Sequence, residues 1–377
     1  MTSLTITASL RSAVHLGAKN TAAYFLAGLD YVPGRALLGA AAWAWIDEGG
    51  DPGSQAFKDR FLSNDVSWGD LLPVPIDPDT GGFVPNIPCV PPRTTMACKL
   101  FGTRHDLVDT LLGKSNGGCS YSIGSKHCGA GLKRLDRVVV PNKQHRTQLV
   151  IAFETGAARS GYLYSREVLQ EGQVFRGRLT CADPAFAEVL RKDLQRLSLS
   201  VGSGRSRGFG QLDLDVTEEA EPGVSADNFV HDSNQISERR NSAADGQKVR
   251  YFTLTAGSPW CLRNSDGSHA SSLSEVRLAK LLGVPASQVK LWAGEVRAET
   301  RSGWDGKAGL PIEIRNLIAA GSTFLCSVSD GSDEALAATL HTLQCHGIGS
   351  HRNEGLGRVI LNHPLHFNTS ITEANRA

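Results

Sequence analysis

Gly202-Ser203-Gly204-Arg205-Ser206-Arg207-Gly208-Phe209-Gly210 sets the reading of this chain. Four glycines, two arginines and one aromatic ring fall within nine residues. The preceding segment is helical in pattern: Asp183 suits an N-cap, Pro184 the first turn, and Phe186, Leu190, Leu194 and Leu197 share one face. The following segment, Gln211 to Val216, alternates like a strand. A second glycine loop, Gly347 to Val359, follows a helical stretch, Asp333 to Cys345, and leads into another strand, Gly357 to Leu361. The order helix, glycines, strand is the reverse of a dinucleotide fingerprint, whose glycines lead from a strand into a helix. Neither loop carries the Gly-Lys-Ser/Thr of a P-loop. Two readings remain: a structural turn that needs positive φ, or an anion site in which backbone N–H groups and Arg205, Arg207 and Arg352 meet phosphate. Phe209, at the start of a strand, is expected to pack beneath its loop.

Laid over each other, the halves share more than the loops. Arg159-Ser160-Gly161-Tyr162 resembles Arg301-Ser302-Gly303-Trp304, and Gly172-Gln173-Val174-Phe175 resembles Gly321-Ser322-Thr323-Phe324. The common order predicts an internal duplication of a β-α-β-β-α-β unit. The expected fold is therefore α+β, two ferredoxin-like, RNA-recognition-type domains with glycine-rich loops. The first spans 1–216, with a cysteine-containing insertion at about 75–135. A polar stretch, 217–247, reads as a linker or mobile loop, and the second domain spans 248–377.

Within the first domain, Leu4 to Leu10 alternates like a strand. Pro33-Gly34 is a turn before an alanine-rich helix, Ala36 to Ile46, whose Trp43 and Trp45 are expected in the core. Gln148 to Phe153 reads as a strand. Arg159 to Val168 and Gln173 to Thr180 read as a hairpin about Glu171-Gly172. In the second domain, strands are expected at Val249–Leu254, Val289–Thr300 and Ser322–Val328, and a helix at Leu273–Leu282 closed by Gly283.

The composition is that of a soluble globular protein, 41% apolar and 20% charged. No run of 18 apolar residues suggests a membrane span, and Met1 to Thr7 lacks the pattern of a signal peptide, so a cytoplasmic location is expected. The net charge of +1 gives no global field toward nucleic acid, so any anion site must be local. In such a setting the eight cysteines read as thiols or metal ligands rather than disulfides. Cys181, Cys261, Cys326 and Cys345 are expected as core thiols. Cys89, Cys98, Cys119 and Cys128 form two pairs of equal spacing, with His105 and His127 nearby, and could hold a structural zinc or remain free thiols.

Asp30-Tyr31-Val32-Pro33-Gly34-Arg35-Ala36-Leu37-Leu38-Gly39, together with the two glycine loops, resembles the RAMP superfamily of CRISPR-associated proteins. Cys98-Lys99, His105, Asp106, Asp109-Thr110-Leu111 and the later cysteines are similar to the type III-D RAMP subunit. The resemblance covers nearly the whole chain. It implies ferredoxin-like domains that bind CRISPR RNA, a large palm-domain subunit and backbone RAMP subunits as partners, and target RNA reached indirectly, with no membrane role. It also implies Cys98, His105, Cys119 and Cys128 as the zinc set, with Cys89 in a four-cysteine site as the alternative.

On that reading Lys19, Arg35, Gly202, Gly204, Arg205, Arg207, Gly208, Gly349 and Arg352 are the candidate RNA-binding residues, and RNA would lie across the sheet faces and glycine loops. The expected role is non-catalytic. Cleaving backbone RAMPs carry an acidic residue after the first strand, whereas Val14 to Leu29 contains none, and Asp30 reads as a turn residue. The rival reading is an endoribonuclease that processes repeat RNA with His15 as general acid or base. A third is a scaffold that contacts protein subunits only.

Overall fold

The computed structural model describes residues 2–18, 24–74, 90–112, 118–119, 121–123, 126–219, 224–240, 249–305 and 309–367. It is a mixed α and β protein with six α-helices among these residues. The chain folds into two compact units. The first comprises 1–88, 139–220 and 353–355; the second comprises 89–138, 221–352 and 356–377.

In the first unit, strand Thr2–Leu10 lies between Val174–Cys181 and Gln211–Glu219, antiparallel to both, and Val66–Trp68 pairs on the far side of Val174–Cys181. Helix Gly34–Asp47 follows the first strand and helix Pro184–Arg196 precedes the last. In chain order the sheet therefore runs fourth, first, third, second. Leu4, Ile6, Ala8 and Leu10 alternate into one core with Leu37, Phe175, Leu179, Leu190 and Leu194. Burying each of the leucines stabilises by about 1.5–3 kcal/mol. The second helix starts as its sequence dictates, with Asp183 accepting from the N–H of Ala185 and Pro184 in the first turn. On the first helix, however, Trp43 is 44% exposed. The buried stripe is Gly34, Leu37, Ala40 and Ala41, and Trp43 falls off it. Trp45 is half-buried and packs near Phe57 and Phe61.

The second unit repeats the plan. Val249–Ala256 lies between Thr323–Ser329 and Val359–Leu361, and Val289–Glu295 pairs on the far side of Thr323–Ser329. Helices Glu275–Leu282 and Asp333–His346 follow the first and third of these strands. The order is again fourth, first, third, second. Gly283 closes its helix with φ 69°, as its position predicts.

Two expectations about local structure change. The strand Ala158–Leu169 does not fold back on Val174–Cys181. It pairs with Lys143–Ile151 in an antiparallel hairpin, while Val174–Cys181 enters the main sheet. Gly172 at φ 81° turns the chain out of the hairpin, and its N–H donates to the carbonyl of Leu10. The stretch 217–247 is not only a linker. Gln211–Glu219 extends into it, and a helix, Ala226–Arg239, is capped by Ser225. That helix buries Phe229, Ser233 and Ile236, and Ser233 accepts from the N–H of Tyr251 at 2.9 Å, satisfying a buried donor beside the sheet.

The cysteine-bearing stretch lies in sequence between the second and third strands of the first sheet, but residues 89–138 group with the second unit. The N–H of Arg93 donates to the carbonyl of Gly321, and Arg134 pairs with Glu295. Asp109 meets His366 at 3.1 Å, and Leu112 packs with Ile236, Tyr251 and Leu325. No described helix is long and apolar enough to cross a membrane.

Candidate functional site

The two glycine loops have one backbone. Gly202, Gly204, Gly208 and Gly210 stand at φ 79°, 85°, 83° and 90°; Gly349, His351, Gly355 and Gly357 stand at 82°, 60°, 84° and 89°. Each loop has a 3-10 turn at its centre, Arg205–Arg207 and Arg352–Glu354. The anchors repeat as well. Ser203 N–H donates to the carbonyl of His15 and Ser350 N–H to that of Cys261, both at 3.0 Å. Gly210 N–H reaches Ala13 and Gly357 N–H reaches Pro259, both at 2.9 Å. The glycines are required by the chain itself. A Cβ on Gly202 would lie 2.3 Å from the carbonyl oxygen of His15, and one on Gly210 would lie 2.1 Å from that of Val201. The fold alone thus accounts for glycine at these positions.

The matching of Arg159 with Arg301 does not hold in three dimensions. Arg159 is near the start of the hairpin's second strand, whereas Arg301 ends the first strand of its hairpin, Ala298–Arg301 with Arg315–Ile318. Gly172 and Gly321 do correspond: both have φ 81° and both precede the third strand of their sheet. Counting back from them, Arg166 corresponds to Arg315.

Arg166 is the residue that sequence reading missed. It is only 8% exposed. Its guanidinium reaches Ser203 Oγ and Tyr164 Oη, each at 3.4 Å, and lies 5.7 Å from the Tyr164 ring and 6.0 Å from the Phe209 ring. Its Nε has no hydrogen-bond partner, and no carboxylate pairs with it among the described residues. Phe209 thus packs under its loop, as expected, against this arginine. Although burial opposes it, the guanidiniums of Arg207 and Arg166 draw the Tyr164 phenol below its ordinary value. Arg207 also reaches Gln148 Oε1 at 3.5 Å and is exposed, as is Arg205. Two guanidiniums, those of Arg166 and Arg207, thus flank Tyr164, and Arg205 is exposed on the 3-10 turn. Aromatic contacts supply about 1 kcal/mol each, whereas an unpaired buried charge costs several. An anion at this point would close that gap. The signal in the sequence was the alternation Tyr164, Arg166, Val168, which places a charge in a stretch that packs against the loop.

The remaining candidates are dispersed. Lys19 and Cys89 lie outside the described residues. Arg35 opens its helix and forms an ion pair with Glu354 at 3.7 Å. Glu354 occupies the loop position that is Arg207 in the first unit, so the second loop is less cationic. Arg352 donates to the carbonyl of His346 at 3.2 Å, at the end of the helix before it. Gly349 holds the backbone turn described above. His15 is 5% exposed, and its Nδ1 meets the carbonyl of Glu167 at 2.7 Å. Burial, assisted by Arg166 and opposed by that carbonyl, keeps its pKa below the ordinary value. Asp30 pairs with Lys143, which also reaches Glu167 at 3.0 Å and the carbonyl of Gly28 at 2.7 Å.

Cys98, His105, Cys119 and Cys128 come together, all their ligand atoms within 4.8 Å of one another. Strand Thr95–Cys98 delivers the first. Cys98 Sγ is 3.8 Å from Cys128 Sγ, and His105 Nδ1 is 3.4 Å from Cys119 Sγ. The His105 ring is stacked between Phe101 at 4.4 Å and Tyr121 at 4.0 Å, which fixes the direction of Nδ1. Against the cost of burial, the backbone N–H groups of Phe101 and Leu100 lower the Cys98 pKa, while burial raises that of Cys119. Three thiols and one imidazole in a tetrahedral-sized cluster can hold a metal ion. Cys181, Cys261 and Cys326 are buried free thiols elsewhere, and Cys345 is half-buried.

A model of the RAMP superfamily matches residues 7–213. No curated protein matches the chain. Among solved structures, a chain of the Type III-B Cmr-beta bound to cognate target RNA and AMPPnP is 14% identical, with a TM-score of 0.44, over 85% of this chain and 86% of that one. A chain of a Type IV-B CRISPR complex is 10% identical, with a TM-score of 0.31, over 59% and 92%. The CRISPR associated protein Cas6 is 8% identical, with a TM-score of 0.37, over 95% and 98%.

Proposed function

The chain belongs to the RAMP superfamily, and from that premise we propose that it is a non-catalytic CRISPR RNA-binding subunit of a type III effector, of the III-D kind, working in the cytoplasm. Its partners are the CRISPR RNA, whose repeat-derived 5′ tag it holds, the large palm-domain subunit and the backbone RAMP subunits; target RNA is met through the guide. Both units are ferredoxin-like domains in this reading, which the repeated strand order supports. The Cys98, His105, Cys119 and Cys128 set is a structural zinc site.

The observation that carries the RNA-binding role is Arg166: a guanidinium 8% exposed, with no carboxylate paired to it among the described residues, beneath a loop that presents Arg205 and Arg207. Phosphodiester oxygens are the anion an RNA subunit meets, and arginine forks bind them bidentately. The non-catalytic role is supported by His15, whose imidazole is buried and whose Nδ1 is engaged by a backbone carbonyl.

One assay tests both parts. The purified protein is titrated with labelled repeat RNA in metal-free buffer. Arg166→Ala, and separately Arg205→Ala with Arg207→Ala, should weaken binding about tenfold or more and reduce the salt slope by about one for each phosphate no longer held. Unchanged retention would favour the protein-only scaffold. Site-specific cleavage abolished by His15→Ala would replace this reading with the endoribonuclease.

A further inference from the structure

The second unit has its own cation and aromatic cluster, away from its glycine loop. Strand Val289–Glu295 is the edge of that unit's sheet. Its ladder to Thr323–Ser329 shifts register between Leu291 and Ala293, so Trp292 is the extra residue of a bulge. A bulge re-aims its side chain. The indole of Trp292 is 39% exposed. Its Nε1 donates to Ser327 Oγ at 2.8 Å, which fixes the plane of the ring. Lys290 Nζ lies 3.8 Å from the ring centroid and the Arg240 guanidinium 4.7 Å from it. Arg240 also lies 5.6 Å from the ring of Tyr251, which is 6.0 Å from that of Trp292.

An edge bulge, an anchored half-exposed indole and two cations on one ring form a concentrated positive surface with a π-face at its centre. A nucleotide offers the complementary pair, a base that stacks and a phosphate that accepts. The geometry points to a second RNA contact: Lys290 and Arg240, which lie over the indole in the free protein, move onto the phosphodiester of single-stranded RNA and leave the ring face of Trp292 to the adjoining base. Single-stranded RNA is favoured over an acidic peptide because a peptide carboxylate would use the cations and leave the indole without a role. The inference rests on the RNA-binding reading of the chain and extends it to the second unit.

The test uses the full-length protein and a fluorescent single-stranded RNA, with anisotropy read across a salt series. Lys290→Glu should weaken binding about tenfold and lower the salt slope by about one. Trp292→Ala should weaken it about fivefold to 150-fold, the range for one stacked base. Trp292→Phe, which keeps a ring, should recover part of that loss, so a folding defect of the alanine variant does not decide the matter. The double variant with Arg166→Ala should show multiplied losses, as separate sites require. If Arg166→Ala weakens binding while Lys290→Glu and Trp292→Phe leave it unchanged, this second site is overturned and the general reading stands. If the unaltered protein does not bind RNA, both fall. If inorganic polyphosphate displaces the RNA equally well from the unaltered protein and from Trp292→Ala, the site reads charge alone and the stacking role is overturned.

Discussion

Gly210 and Gly357 hold the same place in two loops far apart in sequence, each at a φ close to 90° and each with a carbonyl oxygen 2.1 Å from where a Cβ would sit. Gly210→Ala and Gly357→Ala should each destabilise by about 3 kcal/mol or more, since a disfavoured backbone and a backbone clash add. Denaturant midpoints check this, and equal losses would show that the two loops are one device. The residue scale also sets the response to acid. His363 is fully buried, and burial, with the charge of His366, lowers its pKa to about 3. Between pH 6.5 and 3 the unfolded chain takes up a proton that the folded chain refuses, so stability falls as pH falls through that window. Asp109 acts in the same direction. Against burial, His366 lowers its pKa, and the stability this gives is lost on acidification through the folded value. The unfolding free energy from denaturant titration should drop between pH 7 and pH 5 by about 2 kcal/mol, and His363→Asn should flatten that dependence.

Among the elements, the helix Ala226–Arg239 shows where sequence reading stopped. Its face carries few large apolar residues, so the stretch reads as polar linker, yet Phe229 and Ile236 are enough to seat it. Ser233 then serves as a hydrogen-bond acceptor for a strand N–H that has no ladder partner. Ser233→Ala leaves that donor buried and unsatisfied and should cost about 1–3 kcal/mol; hydrogen exchange at the Tyr251 amide would rise most. The helices Pro184–Arg196 and Glu275–Leu282 were legible because helix ends are local chemistry, Asp183 capping the start of one and Gly283 closing the other. The hairpin Lys143–Ile151 with Ala158–Leu169 was misread because alternation fixes which face a residue takes and not which strand it pairs with. That cysteines and histidines gather in the insertion was legible from their types and spacing, whereas the particular set Cys98, His105, Cys119 and Cys128 followed from the family resemblance. For Arg166 the alternation marked a face but not its burial, nor that no described carboxylate pairs with it, because these are properties of the folded neighbourhood.

For the whole molecule, the repeated loop backbone was readable from the glycines of the two loops and from Gly172 and Gly321, since positive φ restricts the choice of residue. The allegiance of 89–138 to the second unit was not, because packing that joins distant segments leaves no periodic trace. If zinc holds Cys98, His105, Cys119 and Cys128, chelation should strip one metal per chain and raise hydrogen exchange first in residues 95–134. The strand Thr2–Leu10 of the first unit should keep its protection. Cys119→Ser should reproduce the chelated pattern without chelator, and a metal content unchanged by that substitution would remove the site.

The splice of 89–138 into the chain of one unit and the body of the other has a consequence for biogenesis. A nascent chain emerging from the ribosome presents this segment well before the strands at 249–256 and 323–329 on which it comes to rest. The second unit cannot finish folding in order of synthesis, because one of its segments is made before the strands it packs with. The first sheet must close around a tethered loop whose docking surface does not yet exist, and a metal ion held by Cys98, His105, Cys119 and Cys128 would order that loop while it waits. Expression of residues 1–220 alone should for the same reason give a soluble first sheet carrying a segment with nowhere to dock. A gene split near residue 220 should recover the intact protein only when both pieces are made together.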